Sequence, residues 1–398
     1  MKVFEPLKLN TTVFPNRFFR SATFENMADA DGTPLEILGD LYNNLARNGV
    51  GTIITGFCYI SKQGRAMHPY QTGMDDDNKT AAWQKIVSRA KAANPDTRLV
   101  MQLAHAGRQT MRAMTGEEVV GAGGKRCTYF KQSARALRDH EIESIIRAFA
   151  AAAKRARKAG FDGVQIHAAH GYLIHQFLSI HTNRRKDKWG NDKTLFLRKV
   201  LEVVRNECGA DFPILLKISH SDDRDLATGD AIETLKSVER LVDAVEVSYG
   251  TMEYALNIFR GDCPIDVALR VNPLFNKIPG VFRKIWKKFF LGKYLRAFMP
   301  FSENYNLEGA LQIKEAVDMP VIVVGGIRNF ADVEQTIQAL DGVALCRPLI
   351  AEPDLVLRIK QGERWVSRCT NCNMCAINCD SKNHLRCYKG KENAKTKF

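Results

Sequence analysis

Eight short β-branched runs alternate with longer segments of helical period, and no other feature constrains the fold of this chain as strongly. The runs fall at 18–23, 51–57, 99–103, 163–167, 214–219, 244–248, 321–325 and 342–346. Between them, Ile142, Ile145, Ile146, Phe149, Ala150 and Ala153 follow the i, i+3, i+4 spacing of one buried helix face. Asp139 is placed to cap that helix and Gly160 to close it. Leu38, Leu41, Tyr42 and Leu45 repeat the pattern and end at Gly49. Eight strand–helix units predict an α/β fold of the TIM (β/α)8 type. The absence of any G-x-G-x-x-G run argues against a doubly wound dinucleotide fold.

Two βα connections, at 104–137 and 249–306, are long enough to shape or cover an active site. The predicted domains are a barrel over residues 1–362, with 249–306 as a lid-like basic insertion, and a Cys-rich, basic C-terminal extension over 363–398. A formal charge of +14 in 398 residues raises polyanions as partners. However, residues 277–296 carry seven basic side chains and no acid, and 382–398 carry a net +5, leaving only +2 for the rest. Nucleic acid is therefore not expected. With 45% hydrophobic and 26% charged residues, wholesale disorder is excluded. No apolar run reaches the roughly 20 residues of a membrane span, and the expected location is cytoplasmic.

Barrel active sites form at the C-terminal ends of strands. Strand three ends Gln102-Leu103-Ala104-His105-Ala106-Gly107-Arg108, and strand four ends Ile166-His167-Ala168-Ala169-His170-Gly171-Tyr172. Strand five carries Lys217, strand seven ends Gly325-Gly326 and strand eight ends Cys346-Arg347. These motifs, with Pro15-Asn16-Arg17, Asn183-Arg184-Arg185 and Val323-Val324-Gly325-Gly326-Ile327, resemble the old yellow enzyme family. The branch most resembled includes the flavin module of bacterial 2,4-dienoyl-CoA reductase, and the likeness covers about residues 1–360.

The resemblance implies an FMN-dependent oxidoreductase in which NAD(P)H reduces the flavin and the flavin reduces an activated C=C bond. Gln102 matches the amide on the flavin pyrimidine edge, and Lys217 the cation beside N1 and the C2 carbonyl; Lys217 could instead pair with a carboxylate inside the barrel. Gly325, Gly326 and Arg347 match the phosphate site, although the family usually has glycine where Cys346 stands. Ser21, Ala22, Thr23 and Gly56 match strand ends bordering the ring, whereas Phe24 lies where many relatives place Cys or Thr. His167 and His170 match the pair that binds a substrate carbonyl, and Tyr172 the proton donor. His175 and His181 are expected to be structural. The open alternatives are an amine dehydrogenase or demethylase on the same scaffold, and a basic polyanion- or membrane-binding protein without catalysis.

The tail reads C-x2-C-x2-C-x3-C-x7-C through Cys369, Cys372, Cys375, Cys379 and Cys387. Tight cysteine clusters in a cytosolic chain read first as metal ligation. A 4Fe–4S cluster on four of the five is the leading reading, with zinc or a plain reduced tail as alternatives. The related module spaces its ligands C-x2-C-x3-C-x11-C, which this tail departs from after Cys372. A separate electron-donor protein is a possible partner for such a cluster. Residues 281–299 set Val281, Phe282, Ile285, Trp286, Phe289, Phe290, Leu291, Tyr294, Leu295 and Phe298 among lysines and arginines. The favoured expectation is a helical lid packing its apolar face on the barrel mouth; peripheral contact with an anionic membrane, or guidance of an acyl-CoA phosphate, is the alternative. The lysine-rich end is expected to be a solvated tail.

Overall fold

A computed structural model describes residues 1–272, 275, 276 and 278–389, apart from the side chains of Phe290, Lys293 and Tyr294. The lysine-rich end expected to be a tail lies, from residue 390 onward, outside the described residues. Eight parallel strands close into a barrel: β1 (Phe18–Arg20), β2 (Thr52–Ile54), β3 (Arg98–Ala104), β4 (Gly163–Ala168), β5 (Ile214–Ser219), β6 (Ala244–Ser248), β7 (Val321–Val324) and β8 (Gly342–Leu345). Each pairs with the next in sequence, and β8 pairs back to β1. The eight predicted runs are these eight strands.

Period-two alternation sorts the strand residues into two layers. Phe19, Ile54, Val100, Leu215, Ala244, Ile322 and Ala344 point inward and form one apolar cluster with Leu7, Leu9 and Phe14. Those last three belong to an antiparallel hairpin, Leu7–Leu9 with Thr12–Phe14, that plugs one end of the barrel. Alternate strand residues face outward and pack under the surrounding helices. These helices are α1 (Glu36–Arg47), α2 (Thr80–Ala93), α3 (Asp139–Lys158), α4 (Leu195–Cys208), α5 (Thr228–Val238), and, further along the chain, α9 (Leu307–Ala316), α10 (Phe330–Ala339) and α11 (Leu355–Lys360).

Helix α3 buries Ile142, Ile145, Ile146, Phe149, Ala152, Ala153 and Ala156, so Ala152 takes the buried place expected for Ala150. Its start also differs from expectation. Asp139 is the first helical residue rather than the cap, and the Glu141 carboxylate accepts the Arg138 N–H at 2.7 Å. The reason is that the Asp139 carboxylate is already engaged by the Trp189 indole N–H at 2.5 Å. Gly160 closes the helix as expected, at φ +89°. The isolated cysteines Cys58 and Cys208 are fully buried core residues.

The long connection after β6 includes the α-helices α6 (Ala255–Phe259), α7 (Ile265–Val271) and α8 (Gly280–Leu295). The cysteine-rich tail adds α12 (Met374–Cys379). Insertion and tail are bound to each other: Asp262 N–H donates to Asn371 O at 3.0 Å, Asn373 Nδ2 to Asp262 O at 2.9 Å, and Asn272 Nδ2 to Asp380 Oδ2 at 2.7 Å. Together they build one wall over the barrel mouth. Helix α8 departs from the packed lid expected of it, because Val281, Phe282, Ile285 and Phe289 face outward.

Candidate active site

Above the apolar inner layer, the next inward position on several strands is polar. Gln102 of β3 donates through Nε2 to Gln165 Oε1 of β4 at 2.7 Å, and Gln165 Nε2 donates to Glu246 Oε2 of β6 at 2.7 Å. Glu246 Oε1 accepts from Lys217 Nζ of β5 at 2.9 Å and from the Ser21 hydroxyl at 2.5 Å. Strand register makes this chain possible, since Gln165 lies beside Gln102, and Lys217 beside both His167 and Glu246. Lys217 thus pairs with a carboxylate inside the barrel and also borders the cavity. Sequence reasoning gave Glu246 and Gln165 no role, yet their signal was present: both fall on inward positions of their strands.

The polar layer floors a cavity of about 260 Å³. Its lining includes Ser21, Ala22, Thr23, Gln102, His167, His170, Tyr172, Lys217, Gly325, Gly326 and Arg347. Among the expected residues outside the tail, Gly56 alone is absent from that lining. Its N–H donates to Glu25 Oε1 at 2.9 Å, and a Cβ there would meet the same carboxylate. Glu25 is itself buried, paired with Arg20 at 2.8 Å and accepting the Tyr42 hydroxyl. Gly56 therefore supports the strand ends from behind.

At the ends of β7 and β8 the backbone turns sharply. Gly325 and Gly326 have φ of +139° and +81°, a region that side chains with a Cβ disfavour. Cys346 sits at φ −119°, so no glycine is required there, and its Sγ lies 3.1 Å from Thr23 Oγ1. Arg347 donates to Arg260 O at 2.8 Å and Asn373 Oδ1 at 2.7 Å, and also to Phe259 O. It thereby pins the insertion and the tail together while lining the cavity. A second cation, Arg328, lines the same region and was not singled out from sequence.

His167 and His170 stand with ring centroids 5.1 Å apart and nearly perpendicular. Burial, and then the Lys217 charge for His167 and the His167 charge for His170, hold both well below the usual imidazole range, so both are neutral near pH 7. His167 Nδ1 accepts the Ala169 N–H at 3.3 Å, which places the ring proton on Nε2. His170 Nε2 contacts Ser248 Oγ at 2.9 Å, and its backbone is left-handed at φ +62°. Tyr172 packs against His167 and Phe57, with centroids at 4.9 and 5.3 Å. Burial, and secondarily Asp380, raise its phenol above the ordinary value, so it stays protonated. His175 pairs with Asp222 at 3.1 Å and His181 contacts Lys125 at 3.0 Å, outside the cavity lining.

The remaining wall includes Phe24, and His68 and Asp380, which the sequence did not flag. Phe24 stacks on His68 at 4.0 Å. The tail contributes Cys375, Cys379 and Asp380. Burial pushes the Asp380 carboxyl up to about 7 and the neighbouring His68 imidazole down to about 3. Cys369, Cys372, Cys375 and Cys387 line a second, smaller cavity of about 20 Å³, which Cys379 does not border. Among the described residues, no three Cys, His, Asp or Glu side chains are gathered closely enough to hold a single metal ion.

Two stability effects follow from this burial. Replacing Glu246 with Gln strips the Lys217 ammonium of its counter-charge and is expected to lower unfolding free energy by about 3–5 kcal/mol in urea titration; a change below about 1 kcal/mol would show that the pair is not structural. His68, His105, His167 and His170 all have folded values below 6.5. Below pH 6.5 the unfolded chain takes up their protons and the native state does not, so each withdraws about 1.4 kcal/mol per pH unit. Asp380, raised in the native state, opposes them with a single proton between about 7 and 3.8. The urea midpoint should therefore be lower at pH 5 than at pH 7.5, and a flat or rising profile would contradict the neutral histidines.

The chain is similar to known proteins over most of its length. The chain is 30% identical to an NADH oxidase of Thermoanaerobacter brockii, covering 94% of this chain and 53% of that protein. It is 24% identical to a 4,4'-dithiodibutanoate disulfide reductase of Rhodococcus erythropolis, covering 94% and 92%. A 2-naphthoyl-CoA reductase complex superposes with a TM-score of 0.80 at 22% identity, over 97% of this chain and 56% of that one. The chain thus spans about half the length of the first and third of these. A profile described as NADH:flavin oxidoreductase / NADH oxidase matches residues 2–255, and the chain belongs to that family, the old yellow enzyme family.

Proposed function

We propose that this chain is an FMN-dependent oxidoreductase that takes electrons from NAD(P)H and reduces a C=C bond activated by a carbonyl. The observation that carries the reading is a neutral histidine pair beside a protonated phenol, in a cavity that also holds a cation, an amide and a Gly-Gly turn flanked by arginines. That donor set fits FMN: Gln102, Lys217 and Ser21 suit the flavin's pyrimidine edge, and Gly325, Gly326, Arg328 and Arg347 suit its phosphate. When bound, FMN supplies the two-electron carrier between nicotinamide and alkene. The name of the Thermoanaerobacter brockii relative, NADH oxidase, supports a nicotinamide donor.

The chain's own groups perform the rest. The Nε2–H of His167, with His170 beside it, holds the substrate carbonyl oxygen and stabilises the negative charge that builds there as hydride reaches the β-carbon. A charged imidazolium is not needed, and the desolvated neutral rings bind without a large reorganisation. Tyr172 then gives its phenolic proton to the carbon next to the carbonyl and regains one from solvent. Phe24, Phe57 and Met252 keep that surface apolar.

For the tail, the proposal is a 4Fe–4S cluster held by Cys369, Cys372, Cys375 and Cys387. These four share one cavity, and their C-x2-C-x2-C-x11-C spacing differs from that of the related module by a single residue. Cys379, the fifth, faces the flavin cavity instead. A separate electron donor acting through such a cluster remains part of this proposal.

Replacing Tyr172 with Phe should leave NAD(P)H-driven flavin reduction intact and slow reoxidation by a 2-enone by about 10²–10⁴-fold in stopped-flow measurements; an unchanged oxidative rate would remove its assigned role. Anaerobic iron analysis should find iron in the Cys379→Ser variant and not in the Cys387→Ser variant. Iron loss from both, or from neither, would contradict the ligand set.

A further inference from the structure

Helix α8 carries its apolar side chains on the outside. Val281, Phe282, Ile285 and Phe289 are 74%, 59%, 47% and 66% exposed, and their spacing confines them to an arc of about 100° on one face. Exposed apolar stripes of this kind mark interaction surfaces. The other side of the helix is tied down. Lys287 Nζ pairs with Asp266 at 2.7 Å, and Arg283 Nε donates to Ile278 O at 2.7 Å. The Trp286 ring lies 6.5 Å from that of Phe275, which lines the flavin-site cavity. Just past the helix, Asn257 accepts Met299 N–H at 2.8 Å and donates to Ala297 O at 3.1 Å. The stripe is thus held outward by contacts on its inner side.

Charge selects the partner. Lys284 and Lys288 are exposed beside the stripe, and residues 277–296 contain no acid. A second copy of the same helix would bring lysines against lysines, whereas a plane of acidic headgroups over acyl chains complements both parts of the surface. We propose that α8 lies flat in the interface of an anionic lipid bilayer, with Val281, Phe282, Ile285 and Phe289 at the headgroup–acyl boundary and Lys284 and Lys288 among the headgroups. Such a helix rests on a membrane without crossing it, and no helix among the described residues is long and apolar enough to cross one. Through Trp286 and Phe275, the docked face would lie close above the cavity.

The test is sedimentation of the full chain with phosphatidylcholine vesicles that contain or lack phosphatidylglycerol. Binding is expected only with the anionic lipid and should weaken as salt is raised. The pair Phe282→Glu and Phe289→Glu, and separately Lys284→Glu with Lys288→Glu, should each lower vesicle affinity about tenfold or more. Circular dichroism should show unchanged helix content, since these side chains are exposed. No sedimentation with anionic vesicles, equal binding to neutral ones, or binding untouched by both double variants would overturn the proposal. So would light scattering that finds a dimer dissolved by the phenylalanine pair, since the stripe would then belong to a second copy.

Discussion

The buried carboxylate of Glu246 is the contact on which the barrel mouth depends. A lysine inside a β-barrel is unfavourable unless a counter-charge and hydrogen bonds compensate its lost hydration. Glu246 answers Lys217 across one strand pairing, and Ser21 and Gln165 occupy the remaining carboxylate positions. Gln165 in turn orients Gln102. Four strands and the segment just past β1 are therefore linked by one polar chain at a single level of the barrel. Lys217 also helps, after burial itself, to keep His167 and His170 neutral.

Everything above that level is built from additions to the barrel. The insertion after β6 and the cysteine-rich tail hold each other through Asp262, Asn272, Asn371, Asn373 and Asp380, and Arg347 fastens both to the end of β8. The barrel supplies charge and hydrogen-bond donors, and the additions supply the apolar cover that excludes water from them. This division explains why Arg347 has a double position, lining the cavity while donating to carbonyls of the insertion. It also places α12 between two cavities, with Cys375 bordering both.

How much of this was legible in the sequence depended on the range of the interaction. The eight strands were readable because β-branched runs and their alternation are local. Glu246 was readable in principle by the same alternation, since position 246 shares its face with Ala244 and Ser248. Asp380 was not, because nothing within the tail indicates that it reaches His68 and Tyr172. Asp139 was misjudged as a cap for a similar reason: Trp189, fifty residues away, takes its carboxylate. The outward turn of α8 was also hidden. An amphipathic pattern reports that a helix has an apolar face, and not which way that face is turned.

The sequence by itself determined the barrel, the strand ends that carry the histidines, the phenol and the Gly-Gly turn, and the separation of charge from a nearly neutral body. These follow from periodicities of two and 3.6 residues and from motifs a few residues long. Only the tertiary structure decided which carboxylate neutralises Lys217, which four cysteines share a cavity, what Arg347 binds and which side of α8 meets its surroundings. Those outcomes depend on groups brought together from distant parts of the chain by closure of the barrel, where burial and charge act through space rather than along the sequence.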